Sequence, residues 1–398
     1  MATPAETGLC PHRVDRLVDA LQSEIDRERL PGAVALVARH GKLVLFKSLG
    51  QQDPASDTPM AHDALFRIYS MTKPIVSAAV MMLVEQGRLL LSDPVAKYLP
   101  EFSGLCVAVP REGRPDLEPA LEPVAPGRPS IHDLLRHTAG LTYEFLGQAP
   151  VQRQYAKAMI GSRERSNAEQ TQALATLSLM YAPGTVWEYS RSTDVLGRLV
   201  EVISGQGLGA FLRAHMLGPL GMHDTGFSVP PEHLGRVAEP FAHDPDGGVP
   251  MRVFDLKLPA RLELGGGGLV STAMDYARFL QCMLNKGELD GVRLLGPRSV
   301  ALMTADHLGS IPVAQDSGSA ALLLPGYGFG LGFAVRTAPG LAPEHGSVGS
   351  YHWGGLAGTT FFVDPAEDLF AVLMLQAPNQ REYYRQMFRG MVYAALLD

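Results

Sequence analysis

Ser70 and Lys73 stand three residues apart in the run Phe66-Arg-Ile-Tyr-Ser70-Met-Thr-Lys73-Pro74-Ile-Val-Ser-Ala-Ala-Val. On a helix, residues at this spacing share a face, so the lysine nitrogen can reach the serine hydroxyl without help from the rest of the chain. Chemically the pair is a nucleophile beside a base. A serine hydroxyl attacks a carbonyl only when a positioned group takes its proton and donors receive the oxyanion. Lysine can be that group if burial or a positive field lowers its pKa. Pro74 is tolerated only near a helix start, which places Ser70 within about a turn of free N–H groups that favour developing negative charge. By itself the pattern is weak. The chain has 22 serines and 7 lysines, so chance supplies roughly 0.4 such matches, and a capping serine with a surface lysine explains the spacing equally well.

A second titratable group would pass the proton to the leaving group and activate water for deacylation. Tyr189 is the candidate. It lies in Gly184-Thr-Val-Trp-Glu-Tyr189-Ser190-Arg191-Ser-Thr-Asp-Val, after a Pro-Gly turn and before a helical run, a setting that presents a side chain to a cleft. Rival signatures are missing: the sequence has no G-x-S-x-G, no H-E-x-x-H and no G-x-x-x-x-G-K-[ST]. Gly265-Gly-Gly-Gly268 lacks the spacing of a dinucleotide loop and reads as a tight packing turn. His243-Asp-Pro-Asp-Gly-Gly248 lacks the ligand spacing and closing Glu of a calcium loop, so a solvated turn is expected. His137, His345 and His352 read as structural hydrogen-bonding residues.

The elements that must position these groups follow from periodicity and punctuation. Apolar residues at helical spacing predict a helix over 14–28, stopped by Leu30-Pro31-Gly32. Two β-prone runs flank His40-Gly41 and predict a hairpin. The helix begun near Ser70 should continue over 76–88. From about 90 to 230 helical segments alternate with proline- and glycine-bearing loops, including the proline-rich stretch Val109 to Pro129. Strand character returns at Gly328–Val335, Thr359–Val363 and Leu369–Leu375, and a last helix is expected over about 380–397. The implied fold is α+β: one antiparallel sheet built from both termini, covered by the terminal helices, with a mostly helical region against one edge. The expected division is a discontinuous α/β domain, 1–90 with 235–398, and a mostly helical domain, 91–234.

Composition narrows the partners. With 398 residues, 46% hydrophobic, 19% charged and a net charge of −7, the chain has an ordinary globular make-up and no general basic field for nucleic acid or anionic membrane. Arginine outnumbers lysine 27 to 7, which reads as compositional bias. Cys10, Cys106 and Cys282 are far apart and suggest neither a disulfide framework nor a zinc site. No signal-like segment or apolar run of about 18 residues occurs, so a cytoplasmic protein without membrane contact is expected.

Taken together, the motifs resemble the serine β-lactamase-like superfamily, most closely its class C-like esterases, the family VIII carboxylesterases. The matching segments occur in family order: Ser70-Met-Thr-Lys73, Asp133-Leu-Leu-Arg-His137-Thr-Ala-Gly-Leu141, Tyr181-Ala-Pro-Gly184, Tyr189-Ser190-Arg191, Gly265-Gly-Gly-Gly-Leu-Val-Ser-Thr-Ala, Gly328-Phe-Gly-Leu-Gly-Phe and His352-Trp353-Gly354-Gly355. The resemblance implies that Ser70 is acylated and that Lys73 and Tyr189 move protons. It places the oxyanion between the backbone N–H groups of Ser70 and Leu356, the latter on the strand after Trp353-Gly354-Gly355. No metal or organic cofactor is implied. Two departures matter: Arg191 replaces the Asn of Tyr-x-Asn, and Trp353-Gly354-Gly355 replaces Lys-Thr-Gly. The lost ammonium disfavours β-lactams and peptides, and a neutral indole favours an uncharged, partly apolar ester. Trp353, Gly354, Gly355 and Tyr143 are the expected substrate-binding residues, with the two aromatics as pocket walls. The expected activity is hydrolysis of short-chain carboxylic esters through an acyl-enzyme, with weak β-lactam hydrolysis as a side activity. The alternatives are a β-lactamase, a D-amino-acid peptidase or an acyltransferase on the same residues, or a catalytically silent acyl- or penicillin-binding protein. Oligomeric state is not legible.

Overall fold

Along Gly32–Arg39 (β1), Val34, Leu36 and Ala38 face one way and Ala33, Ala35 and Val37 the other, and all six are buried. A strand buried on both faces belongs inside a covered sheet. It turns through His40 and Gly41, both at positive φ, into Lys42–Asp53 (β2), a two-residue hairpin of the kind such dihedrals select. The computed structural model describes residues 1–111, 119–258 and 260–397. Thr58–Pro59 (β3) borders β2, and the remaining strands come from the far end of the chain: Tyr327–Phe329 (β4), Ala334–Arg336 (β5), Tyr351–Gly354 (β6), Thr360–Asp364 (β7) and Leu369–Leu375 (β8). The order is β4-β5-β6-β7-β8-β1-β2-β3, antiparallel throughout. Val34 pairs with Met374 and Leu36 with Val372, so the two ends of the chain meet in mid-sheet. This is the expected α+β architecture.

Five helices fix the layers: Pro11–Asp26 (α1), Thr72–Glu85 (α2), Ser192–Ser204 (α3), Ala273–Leu284 (α4) and Arg381–Ala394 (α5). Leu17 and Leu21 of α1 and Phe388 and Val392 of α5 close over Ala33, Ala35 and Leu373 on one face. The other face carries α4, and α2 packs against α3. One apolar core runs from Val34 and Met374 through α2 to Trp187 and Leu196. Every residue of α2 from Thr72 to Met81 is buried. A helix apolar all round is a core helix, so its one lysine is a buried amine.

Three expectations change. The run 328–335 is not one strand but the hairpin β4–β5: Gly332, at φ 101°, makes the turn, and a Cβ there would meet Ser77 Oγ at 2.7 Å. In the middle region, Cys106–Val109 pairs with Ala120–Pro123, where only a loop was expected; residues 112–118 of that proline-rich stretch lie outside the described residues. The solvated turn expected over 243–248 holds at every residue but Asp244, which is buried and accepts from the Asp246 and Gly247 amides and the side chains of Asn379 and Gln380. No single helix among the described residues is long and apolar enough to cross a membrane.

Candidate active site

The turn bearing Ser70 is held from several sides. Tyr69 just before it has a φ of 43°, a left-handed conformation that costs a bulky residue about 1–3 kcal/mol and persists only where surroundings enforce it. Here the Phe254 amide donates to the Tyr69 hydroxyl at 3.2 Å and the two rings meet edge to face. The Ile68 amide donates to Leu269 O at 3.1 Å, and the Tyr276 hydroxyl donates to Met71 O at 2.8 Å. Ser70 therefore sits in the short 3-10 turn Tyr69–Met71 that leads directly into α2.

Lys73 is fully buried in the first turn of α2. Its Nζ donates to Gly266 O at 2.6 Å and to the Tyr143 hydroxyl at 3.0 Å, and lies 3.3 Å from Ser70 Oγ. Burial lowers its pKa to about 7, opposed by attraction to Asp194 and assisted by Arg191. A neutral amine has two N–H bonds and one lone pair. With Gly266 O and Tyr143 taking the two hydrogens, the lone pair is left for the Ser70 proton.

Tyr189 closes the other side. Its phenol oxygen accepts from Trp353 Nε1 at 3.2 Å, and its ring lies 4.4 Å under the Lys73 nitrogen. Burial raises the phenol pKa, while hydrogen bonding from Ser70 and Trp353 acts the other way. The Tyr143 and Trp353 rings each stand 5.3 Å from it. His137 backs the group: its Nδ1 accepts from the Ser190 amide at 3.2 Å, and burial, with the nearby Lys73 charge, holds its pKa well below the usual imidazole range. That geometry is the structural role expected for it.

A cavity of about 450 Å³ opens beside Ser70, Tyr189, Trp353, Gly354, Gly355 and Leu356. Leu356 is not on a strand as expected but in the turn between β6 and β7, and its amide has no acceptor among the described residues. Gly355 lets this turn touch the nucleophile turn: a Cβ there would press on Thr359 Oγ1 and lie 2.5 Å from Ile68 O. Gly355→Ala is accordingly expected to push the two turns apart and lower kcat/KM for a nitrophenyl ester by about 10²-fold, since displacements near 1 Å have that effect. A rate within twofold of wild type, with the melting temperature unchanged, would refute it.

Tyr143 is not the wall expected of it. It lies beneath the site on Lys73, and Phe145, stacked on it at 4.7 Å and 58% exposed, takes the wall position with Leu146. Arg191 turns away into a buried ion network with Asp194 at 3.2 Å and with Glu144, while Asp194 accepts the Gly266 amide at 2.6 Å. The four-glycine run is the close-packed turn expected: a Cβ on Gly265 would lie 2.5 Å from Thr193 O. What the sequence did not disclose is that its Gly266 carbonyl anchors the lysine. Also missed were Arg385 and Arg389 on the far cavity wall; with Arg381 they recur every fourth residue, a one-faced stripe visible in the sequence.

Comparison with known proteins adds an independent line. The sequence profile of a family described as Beta-lactamase matches residues 14–395. Esterase EstB of Burkholderia gladioli is 36% identical over 386 residues, covering 90% of this chain and 89% of EstB. Lovastatin esterase of Penicillium rubens is 30% identical over 381 residues, covering 89% and 91%. Among solved structures, EstCE1, described as a hydrolase with promiscuous acyltransferase activity, superposes with a TM-score of 0.79 at 29% identity, over 96% of this chain and 98% of EstCE1.

Proposed function

The chain belongs to the beta-lactamase family, and from that premise we propose that it is a serine carboxylesterase of the family VIII kind, cleaving short-chain carboxylic esters through an acyl-enzyme on Ser70. The observation that carries this is the placing of a buried lysine, its pKa brought down to about 7, with two of its three contacts satisfied by Gly266 O and Tyr143 and the third directed at Ser70 Oγ. In the first step Ser70 Oγ bonds to the carbonyl carbon and its proton passes to the Lys73–Tyr189 pair. The oxyanion is received by the Ser70 and Leu356 amides. Collapse breaks the ester C–O bond, and the pair returns the proton to the departing alkoxide. Water then adds to the acyl carbon, losing its proton to the same pair, which hands it to Ser70 Oγ as the acyl C–O bond breaks and the acid is released.

Simple esters are favoured over β-lactams because Trp353 stands where an ammonium would recognise a β-lactam carboxylate, and Arg191 is tied into its ion network. A second reading, acyl transfer to an alcohol, is supported by Phe145 and Leu146 at the cavity mouth, which can hold an apolar acceptor in place of water. The two-part division at 91–234 and a cytoplasmic setting belong to this proposal; all three cysteines are free thiols, as a reducing compartment allows.

Purified protein should turn over 4-nitrophenyl acetate and butyrate at least about 10²-fold faster, by kcat/KM, than nitrocefin. A fluorophosphonate should phosphonylate Ser70 Oγ with loss of fluoride, adding the phosphonyl group's mass at that residue. Faster nitrocefin turnover would overturn the substrate choice, and an ester product of an added alcohol exceeding free acid would move the assignment to the transferase reading.

A further inference from the structure

The far wall of the cavity carries more positive charge than the proposed ester chemistry uses. Arg381, Arg385 and Arg389 of α5 line it together with two carboxylates, Glu344 and Glu382. Arg336 stands behind them on β5, buried, with its Nε unpartnered. The carboxylates do not satisfy the guanidinium groups. Glu344 takes Arg389 Nη1 at 3.1 Å, and Glu382 takes Arg385 Nη1 at 2.8 Å. Arg385 Nη2 turns to Gly355 O. Four buried atoms remain without a hydrogen-bond partner among the described residues: Arg385 Nε, Arg389 Nε, Arg389 Nη2 and His352 Nδ1. The Arg389 side chain is only 6% exposed.

Buried guanidinium N–H groups left unpaired are costly, and such groups commonly receive an anion in a planar, two-pronged contact. Gly354 shapes the approach: a Cβ there would lie 2.6 Å from Arg385 Cζ, so glycine lets the guanidinium lie flat against the strand end. The lobe borders the reaction centre, since Arg385 is within electrostatic reach of the Tyr189 phenol. We propose that this arginine lobe binds a carboxylate carried by the substrate, so that the preferred esters are acid-bearing ones, such as monoesters of dicarboxylic acids. The proposal deepens the esterase reading and rests on it. It also reverses the expectation of an uncharged substrate: the cations lie on α5 at the far wall and not at the Trp353 position, so they suit a carboxylate set away from the scissile bond, and the case against β-lactams stands.

Two size-matched pairs test it. Mono(4-nitrophenyl) adipate is compared with 4-nitrophenyl hexanoate, and 4-acetoxybenzoate with 4-acetylphenyl acetate. In at least one pair the charged member should be preferred by about tenfold in kcat/KM, mainly through KM, and Arg385→Gln and Arg389→Gln should each erase most of that ratio. Because either variant can fold poorly, the wild-type protein supplies a further measurement. Adipate should compete with hexanoate hydrolysis where adipamide, its neutral and non-ester counterpart, does not, and calorimetry should show adipate binding Ser70→Ala protein, more weakly as salt is raised. Preference for the neutral member in both pairs, or adipate binding no better than adipamide, overturns the lobe. Calorimetric binding without any ester turnover would retain the lobe and remove the esterase reading instead.

Discussion

Ser70→Ala should lower kcat/KM for 4-nitrophenyl butyrate by about 10⁴-fold or more, with the melting temperature essentially unchanged. No neighbouring oxygen can stand in. Tyr189 and Tyr143 are phenols whose burial keeps them protonated, and the Thr72 hydroxyl already accepts the Leu269 amide at 3.1 Å. What survives is the small acceleration that oxyanion donors give to attack by water. Stability should hold because the turn is fixed by the Tyr69 hydroxyl, the Ile68 amide and the Met71 carbonyl. Equal rates in variant and wild type, at matched folded protein, would remove Ser70 as the acylated group and with it the mechanism.

Lys73→Met, close in shape but without a basic amine, should lower kcat/KM by about 10²–10⁴-fold. The pH dependence separates loss of a base from loss of structure. In the wild type the active form is the neutral amine, so kcat/KM should climb as pH rises through about 7 and then level; in the variant that limb should vanish. Stability carries a second signature. The folded lysine's pKa of about 7 lies below the value near 10.4 of an unfolded lysine. Between those values the unfolded chain binds more protons, so wild-type stability rises with pH across that window. The melting temperature of Lys73→Met relative to wild type should therefore be most favourable at pH 7 and decline towards pH 10. A constant difference would mean that the buried amine does not titrate as described.

How far these features were readable in advance depended on whether the signal was local. The Ser70–Lys73 pair and the β1–β2 hairpin are set by neighbours in sequence, and both are where periodicity and turn chemistry put them. The β4–β5 hairpin was hidden because Gly328, Gly330 and Gly332 blur strand alternation; only contact with α2 at Ser77 shows why the chain must turn. Gly266 O and Phe145 were invisible for a stricter reason: a carbonyl pointing at a lysine 193 residues away leaves no compositional trace. The arginine stripe of α5 was present in the sequence but dissolved into a general excess of arginine. Tyr143, close after the His137–Leu141 motif, reads as a pocket wall, because sequence order does not say whether its ring meets the ligand or the lysine beneath.

The pairing of β1 with β8 has a consequence for biogenesis. During synthesis, the turn and helix bearing nucleophile and base leave the ribosome long before Tyr351–Gly354 and Leu369–Leu375 are made, yet Gly32–Arg39 requires the latter as its neighbour. Until then an apolar strand has one bare edge and the lysine has no indole-capped phenol to complete its surroundings. Long-range pairing of this kind folds slowly and exposes adhesive edges while it waits. Ribosome-stalled chains ending before residue 351 should therefore be chaperone clients and incapable of reacting with a fluorophosphonate, even though they already contain Ser70 and Lys73.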